Sequence, residues 1–487
     1  MAIATSIADS AKKTNWRWVI CSLLFFATTI NYLDRQVLSL TWKDFIAPEF
    51  HWSDADYGTI TGFFSLFYAV VSLFAGKFID WMGSKRGYLW AIFVWSLAAC
   101  MHAGCGWATM KIEGVESVEA LYRIKAGSAL ALSVASVSVW LFLGCRALLA
   151  IGESGNFPAA IKVTALYFPK MDRAFATSIF NAGASVGALA APLCIPSLAK
   201  LWDWEMAFII IGALGFVWMG FWMKLFTAPQ NSKYVNRAEL NYIQQDEADE
   251  TQAEINKEET KTIPFWRCFG FRQTWAFIAG KAFTDGVWWF FLFWAPAYFS
   301  DQFGYASYTP MGQALIFTLY LIVTVLSIFG GYLPKLFVEK RGMNPYAGRM
   351  RAMLMFAFVP IVALFAQPLG MYSAWWPAIL IGLAGAAHQA WSANLYSTIG
   401  DMFPTSTVAS IVGIGTMAGG LSSYIINQGS GILFDYTARM GDAFSFAGFH
   451  GKPAGYMIVF SVCACSYLLA WCVIKLLVPR YKKIELK

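Results

Sequence analysis

Seven ionisable residues stand inside long apolar segments of this 487-residue chain. At the centre of a membrane helix each ionised side chain costs about 2.5–3.5 kcal/mol, so such residues normally face a bundle interior or a water-filled path and mark function. The alternative interpretation is a structural ion pair that orients two helices. The seven residues are Asp34, Arg35, Arg146, Glu153, Lys162, Lys281 and Asp285.

Asp34 and Arg35 are neighbours in the stretch "NYLDR". Adjacent side chains on a helix point about 100° apart, so these two are not expected to pair with each other. Tyr32 lies three residues before Arg35 and shares its face. Because a guanidinium is always charged and binds a carboxylate through two hydrogen bonds, Arg35, with Tyr32 beside it, is predicted to bind an anionic substrate.

Arg146 and Glu153 are seven residues apart, on one helix face and about 10 Å apart along the axis. Other helices or water must therefore bridge them. We expect Arg146 to neutralise Asp34 and to leave Arg35 free for substrate. A carboxyl group in a low-dielectric interior can carry a proton near neutral pH, so Asp34 and Glu153 are predicted to take up and release protons as proton-coupling groups, with Arg146 as their charged partner.

Lys281 and Asp285 are four residues apart and share a helix face. Two interpretations stay open: a self-satisfied ion pair, or a second cation for the substrate with Asp285 as its switchable, proton-linked partner. Five further polar residues in apolar segments are candidates for binding substrate hydroxyls, although polar residues in bundles often only join helices. These five are Tyr68, Asn181, His388, Gln389 and Asn394.

The composition identifies the kind of element that must position these residues. Hydrophobic residues make up 58% of the chain and charged residues only 13%, about half the usual charged fraction of a soluble domain. The mean hydropathy is +0.52. The chain is therefore predicted to be an all-α, multi-pass membrane protein. Its nine cysteines show no metal-ligand or disulfide spacing, and no cofactor is expected.

Apolar runs of about 20 residues, the length that crosses a bilayer, recur twelve times along the chain. The charged stretch within 108–139 is expected to be a loop, and the apolar tail that follows it a loop or a helix extension. The twelve predicted spans are 17–40, 57–78, 87–107, 140–168, 174–198, 205–226, 273–299, 311–336, 350–368, 373–399, 407–434 and 454–478.

Most of the 36 Lys and Arg residues fall in segments that share one side of the membrane when both termini are cytoplasmic. The same asymmetry accounts for the net charge of +7, so nucleic acid is not an expected partner. The hydrophilic linker 228–271 is charge-rich and is predicted to be solvated helix or partly disordered. It separates two six-helix bundles, 1–227 and 272–487, an arrangement typical of transporters that rock around a midplane site.

One motif points misleadingly to an enzyme. The run "GASVG", from Gly183 to Gly187, matches the G-x-S-x-G elbow of hydrolases, but that elbow requires a strand followed by a turn and a helix. Here it lies inside a predicted spanning helix, where small residues four apart allow close helix packing. The chain is not expected to be an enzyme.

The stretch "GKFIDWMGSKR" resembles the loop motif G-x-x-x-D-R-x-G-R-R of the major facilitator superfamily, with Trp81 and Ser84 in place of two basic residues. The resemblance implies the twelve-helix major facilitator fold. It also implies a gating latch in which Asp80 pairs with a basic residue. The predicted gating residues are Gly76, Asp80, Gly83, Lys85, Arg86 and Lys162.

The runs "NYLDR", "CRALLAIGESGNFPAAIKVTALYFP" and "RAFATSIFNAGASVGALAAP" resemble the anion:cation symporter family. Within that family, "GGYLPKLF" and "GAAHQAWSANL" are similar to bacterial hexuronate transporters. The resemblance implies proton-coupled import of an organic anion, with Arg35 on the substrate and Asp34 and Glu153 titrating as a pair.

These observations predict a monomeric symporter in the bacterial cytoplasmic membrane that imports galacturonate or glucuronate. Its partners are protons, a small organic anion and the lipid bilayer. Within transporters, the alternatives are an aldonate such as galactonate, an aromatic acid, a dicarboxylate or a phosphate-linked exchange. A transporter-like sensor is the alternative from another class.

Overall fold

The computed structural model describes residues 13–245, 264–403, 405–482 and 484, and these are almost entirely helical. The α-helices in chain order are α1 (Trp16–Thr41), α2 (Ala47–Phe50), α3 (Asp54–Met82), α4 (Ser84–Ala103), α5 (Cys105–Glu113), α6 (Val118–Arg123), α7 (Ala129–Glu153), α8 (Asn156–Tyr167), α9 (Lys170–Leu225), α10 (Arg237–Ile243), α11 (Arg272–Phe303), α12 (Pro310–Arg341), α13 (Pro345–Phe358), α14 (Ala366–Gly370), α15 (Trp375–Met402), α16 (Thr405–Met440) and α17 (Gly451–Leu477).

Shorter elements connect these helices. A π-helical turn, Trp42–Ile46, joins α1 to α2. The 3₁₀ segments are Pro229–Asn231, Phe265–Gly270, Val359–Phe365 and Gly441–Ala443. The two strands β1 (Ser445–Phe446) and β2 (Phe449–His450) form an antiparallel hairpin just before α17.

The helix ends follow local chemistry. Ser53 caps α3 in a reciprocal capping box with Asp56. Thr309 caps α12 immediately before Pro310, which is favoured in the first turn because it lacks an N–H to satisfy. At the other end, Gly304 ends α11 in the left-handed conformation that glycine adopts without steric cost.

Twelve long helical segments can be followed through the described residues, because α9 breaks at Trp202–Asp203 into two. Six helical stretches of the described residues, some of which join consecutive helices, are long and apolar enough to cross a membrane, and the pair α4–α5, bent by 48°, is a seventh. Twelve membrane crossings therefore stay a prediction. The charged stretch of 108–139 was predicted to be a loop, but α5 extends into it as far as Glu113 and α6 occupies Val118–Arg123. The apolar tail is the beginning of α7, which agrees with a helix extension.

Close helix contacts occur where glycine faces a neighbouring backbone. Gly183 and Gly187 on α9 pack against Phe25 and Thr29 on α1, where an added Cβ would collide with main-chain oxygen atoms. The hydrolase-like run is therefore a helix-packing surface. In the other half, Gly415 and Gly419 on α16 lie against side chains of α11.

The first segment of the linker is anchored to the start of the chain. Glu239 on α10 is fully buried, accepts hydrogen bonds from the backbone N–H groups of Trp16 and Arg17, and pairs with the Arg17 guanidinium at 3.0 Å. A carboxylate at the amino end of α1 complements the helix dipole. We call this end of the molecule the linker face and the opposite end the far face. Linker residues 246–263, predicted to be solvated or disordered, lie outside the described residues.

Candidate functional site

The centre of the site is an ion pair between α1 and α7. The Nε–H and Nη2–H groups of Arg35 donate to Oε2 of Glu153 at 3.0 and 2.7 Å, and both side chains are almost completely buried. Arg35 and Asp34 do not pair, in agreement with their adjacency on one helix. The expectation that Arg35 is left free was wrong, because helix α7 places Glu153 opposite the guanidinium.

Arg146 does not form the ion pair with Asp34 that was expected. No ion pair under 4.0 Å joins them within the described residues, although both are buried. Neither carboxylate oxygen of Asp34 has a hydrogen-bond partner there, nor do Nε and Nη1 of Arg146, whose Cζ lies 5.2 Å from the centre of the Phe64 ring. Buried polar atoms without partners are rare, and each requires an explanation beyond packing.

Two neutral side chains on α1 share this property. Both polar atoms of the Asn31 amide and both of the Gln36 amide are buried without a partner among the described residues. Together with Asp34, they make the interior of α1 strongly polar and unsatisfied. A buried water or a polar ligand is the kind of partner that satisfies such groups.

Three aromatic rings surround the Arg35 guanidinium. Its Cζ lies over the rings of Tyr32 at 5.3 Å, Tyr68 at 4.8 Å and Trp289 at 5.3 Å. These distances are typical of cation–π contacts. Tyr32 and Tyr68 were predicted binding residues, whereas Trp289, on α11 of the other half, was not. The sequence feature that could have predicted this residue is the pair "WW" at 288–289, one helical turn beyond Asp285.

The second ion pair lies on α11. Lys281 Nζ is 2.6 Å from Asp285 Oδ2, and the lysine lies over the Tyr396 ring at 4.8 Å. The pair forms within one helix, which favours the self-satisfied interpretation. However, Oδ1 of Asp285 is buried without a partner among the described residues, and Gly419 on α16 leaves the space that this carboxylate occupies.

The polar candidates on α15 have partners inside their own half. His388 Nδ1 lies 2.8 Å from the Tyr467 hydroxyl, and its ring stacks on Trp288. The Asn394 amide donates to the Ala390 carbonyl at 2.8 Å and to the Gly330 carbonyl at 3.3 Å. Two other predicted binding residues are more accessible, Gln389 being half-buried and Asn181 on α9 exposed.

The predicted contact of Asp80 with a basic residue lies inside one half at the linker face, and its gating role stays a prediction. Lys162 Nζ lies 2.8 Å from Asp80 Oδ1, as the family resemblance implied, and Asp80 is 72% exposed. Lys85 donates to the Met223 carbonyl at 3.2 Å, and Arg86 is exposed.

The two glycines predicted for gating differ in what the backbone requires of them. Gly83 has φ +77°, a conformation that residues with a Cβ rarely adopt. An added Cβ at Gly76 would meet no atom within 4 Å, so no close contact requires that glycine.

A closed ring of alternating charges joins the two halves at the far face. Lys43 Nζ is 3.0 Å from both Asp54 and Asp301, and Lys452 Nζ is 2.5 Å from the same two carboxylates. Lys43 and Asp54 belong to the first half, and Asp301 and Lys452 to the second. None of the four side chains is more than 24% exposed. No pattern in the sequence had predicted this ring.

Further polar contacts between the halves lie near the far face. Asp44 accepts from the Ser300 hydroxyl at 2.6 Å and from the Ser307 backbone N–H at 2.7 Å. Asp435 accepts from the backbone N–H groups of Asp54 and Ala55, at the amino end of α3. The halves are thus held together at the end opposite to the linker.

An acidic side chain outside the spanning segments also lies near the far face. Glu49 on α2 is buried and accepts a hydrogen bond from Trp204 Nε1 at 2.7 Å. Burial raises the pKa of Glu49 to about 7, the Trp204 hydrogen bond opposes that change, and the nearby Glu205 and Asp203 add to it.

Comparison with protein families decides the class. The family model for the major facilitator superfamily matches residues 24–426. The chain belongs to this superfamily. It is therefore a multi-pass membrane transporter and not an enzyme, which confirms both predictions. No group of three or more histidine, cysteine, aspartate or glutamate residues suited to a metal ion occurs in the part of the chain that the structure describes.

Three curated relatives are similar over most of the chain. A hexuronate transporter of Escherichia coli K12 is 27% identical over 435 residues, covering 86% of this chain and 88% of the relative. A galacturonate transporter of Dickeya chrysanthemi is 25% identical, covering 72% and 92%. A D-galactonate transporter of Escherichia coli O6:H1 is 27% identical, covering 68% and 70%.

Solved structures support the fold. A bacterial homologue of the human lysosomal transporter Spinster, in an inward-facing and occupied conformation, aligns with a TM-score of 0.63 at 17% identity. The alignment covers 96% of this chain and 97% of that one. At this identity the similarity concerns the fold alone.

Proposed function

We propose that this transporter is a proton-coupled symporter that imports a sugar-acid anion, most specifically a hexuronate such as galacturonate or glucuronate. The relatives named for hexuronate and galacturonate transport support the substrate class. The buried guanidinium of Arg35 supplies the group that a carboxylate requires. The membrane is proposed to be the bacterial cytoplasmic membrane, with both termini in the cytoplasm and the transporter acting as a monomer.

The observation that carries this proposal is the ion pair between Arg35 and Glu153. Glu153 occupies the Nε and Nη2 donors of the guanidinium, which are the donors that a bidentate substrate carboxylate would use. Substrate and ionised Glu153 therefore compete for the same site. Protonation of Glu153 removes its charge, weakens the pair and frees Arg35 for the substrate.

The charge balance of the interior requires a proton in the same step. Three acids, Asp34, Glu153 and Asp285, and three bases, Arg35, Arg146 and Lys281, are buried between and within the halves, so the set is neutral when all are ionised. A bound monoanion would leave one uncompensated negative charge in a low-dielectric interior, which is costly. One proton taken up with the anion restores neutrality.

The proposed cycle follows from this competition. The coupled pair of Asp34 and Glu153 takes up one proton on the outside, the substrate carboxylate binds Arg35, and polar groups of the second half bind its hydroxyls. The halves then rock, and the pair of acids releases the proton to the cytoplasm. The pair between Arg35 and Glu153 forms again and expels the anion.

A second candidate substrate is an open-chain aldonate. The relative named as a D-galactonate transporter is as similar in sequence as the hexuronate transporter, although the alignment covers less of this chain. Arg35 and Glu153 would act in the same way on that carboxylate, so the two candidates differ only in the residues that contact the hydroxyls.

The test is uptake into proteoliposomes that contain the purified full-length protein. We expect labelled glucuronate to accumulate when the outside is acidic, and a protonophore to abolish that accumulation while counterflow persists. Competition by galacturonate stronger than that by galactonate supports the hexuronate assignment. Uptake that is indifferent to the pH gradient would contradict proton coupling, and binding without counterflow would indicate a sensor.

A further inference from the structure

The aromatic cage around Arg35 is built from both halves of the molecule. Tyr32 on α1 and Tyr68 on α3 belong to the same half as Arg35, whereas Trp289 is carried by α11 of the second half. In the described residues, Trp289 is therefore the one ring of the cage that changes its position relative to Arg35 when the halves move.

The guanidinium has a restricted set of contacts within this cage. Arg35 is only 5% exposed, and two of its N–H donors are directed at Glu153. Its Cζ lies 5.3 Å from the centre of the Trp289 ring. A cation–π contact depends on the direction of approach to the ring, so the indole restricts where the guanidinium plane and its donors can point.

We propose that Trp289 is a positioning residue for Arg35, holding the guanidinium in the orientation in which Nε and Nη2 address a carboxylate. The inference rests on the proposed function, because it takes Arg35 as the group that binds the anion. It adds that the second half contributes to anion binding through a ring that contacts the cation. The affinity for the anion thereby depends on how the two halves are arranged.

The alternative is that Trp289 only fills space between helices. Its ring also packs near Phe64, Tyr68 and Phe293, at centroid distances of 6.4, 6.3 and 5.2 Å. A space-filling role depends on side-chain volume, whereas a cation–π role depends on the aromatic face. Phenylalanine and methionine have similar volumes, and only phenylalanine has that face, so Trp289→Phe and Trp289→Met separate the two roles.

The neighbouring tryptophan provides a matched control for the state of Arg35. Trp288 stacks on His388, with ring centroids 5.4 Å apart and planes within 2°. It is half-buried like Trp289 and lies in the same turn of α11, but it makes no cation–π contact with Arg35 in the described part of the chain. Trp288→Met therefore removes an indole of the same helix without removing the contact under test.

The first measurement is binding of D-glucuronate to purified full-length protein by calorimetry. A desolvated cation–π contact contributes about a factor of 30 to an equilibrium constant. We expect Trp289→Met to weaken binding by about tenfold to thirtyfold and Trp289→Phe by less than about threefold. Equal weakening by both variants, or no weakening by either, would overturn the positioning role.

The second measurement needs no ligand. Phenylglyoxal modifies accessible guanidinium groups, and mass spectrometry of the peptide that contains Arg35 gives the rate at that residue. We expect the rate to rise in Trp289→Met and to stay near the wild-type value in Trp289→Phe and Trp288→Met. Equal rates in the two Trp289 variants would again overturn the inference.

The two arms distinguish failure of this inference from failure of the proposed function. If the wild-type protein binds neither glucuronate nor galactonate, the proposed function is wrong, and the modification rates alone decide whether Trp289 positions Arg35. If the wild-type protein binds glucuronate and the two Trp289 variants behave alike, the function stands and the positioning role is wrong.

Discussion

Replacing Glu153 by glutamine should tighten binding of the substrate anion while abolishing its coupling to protons. In the wild-type protein the ionised Glu153 occupies the Nε and Nη2 donors of Arg35. An anion must displace this carboxylate in order to bind, and the displacement lowers the measured affinity. Glutamine has nearly the same shape, and its amide oxygen can still accept both of these hydrogen bonds, but it carries no charge.

The magnitude follows from the contacts of the pair. A hydrogen bond with an ionised partner contributes about 1.5–3 kcal/mol, and a bond from the guanidinium to neutral glutamine, in which only the donor is ionised, lies at the lower end of that range. Two donors of Arg35 converge on one oxygen of Glu153, so loss of the charge weakens the internal competitor by about 1.5–3 kcal/mol. Each 1.4 kcal/mol is a factor of ten in affinity, so the variant should bind the anion about 10-fold to 100-fold more tightly.

The assay is calorimetric titration with glucuronate at pH 6 and pH 8, together with uptake into proteoliposomes. Wild-type affinity should fall as pH rises, because ionised Glu153 then competes with the anion. The affinity of Glu153→Gln should be high at both pH values, and counterflow should persist without accumulation driven by a pH gradient. Glu339→Gln, which neutralises a carboxylate of an exposed ion pair with Lys335 outside the six buried charges, is the control and should leave this competition in place.

One result would refute the reasoning directly. If Glu153→Gln binds the anion no more tightly than the wild-type protein at pH 8, Glu153 does not compete with the substrate for Arg35. Weaker binding in the variant would instead make Glu153 a direct contact of the substrate.

Three further predictions concern the two faces. Asp301→Asn breaks the far-face ring of charges and leaves one lysine charge unbalanced. A cysteine placed at Ser307 should then react faster with an impermeant maleimide, and mass spectrometry gives the rate. An unchanged rate would show that the ring does not hold that face closed. Because burial raises the pKa of Glu49 to about 7 from an ordinary value of 4.5, the folded state binds the proton more tightly than the unfolded state, and stability is lost as pH rises from about 4.5 to about 7. Glu49→Gln should therefore be more stable than the wild-type protein by up to about 3 kcal/mol at pH 8 and equally stable at pH 4 in thermal melts; a constant difference across pH would contradict this. Asp80→Asn should change stability by less than about 1 kcal/mol, since Asp80 is largely exposed, while the transport rate falls; a large loss of stability at an unchanged rate would make the contact with Lys162 structural.

Much of the candidate site followed from local spacing. The rotation of about 100° per residue separates Asp34 from Arg35, and the four-residue interval joins Lys281 to Asp285. Both outcomes depend on one helix alone, and the structure shows both. The contact between Lys162 and Asp80 joins two helices, and it was expected from the family resemblance rather than from spacing.

Partners on different helices could not be chosen in this way. Arg146 and Glu153 lie on the same face of α7, and the sequence offered no means of deciding which of them meets α1. The depth and rotation of α7 against α1 decide that Arg35 meets Glu153 and that Asp34 stays without a hydrogen-bond partner among the described residues. These two quantities arise from packing over whole helices, including the close approach at Gly183 and Gly187.

The sequence by itself therefore determined which charges lie in the membrane, how each helix presents them, and which superfamily the chain resembles, because hydropathy, helical periodicity and short motifs are local properties. Only the tertiary structure decided that a carboxylate of α7 already occupies Arg35, that Trp289 reaches it from the other half, and that four charges close a ring at the far face. Each of these contacts joins residues more than 100 positions apart or from separate helices, and their distances depend on how the helices and the two halves are placed.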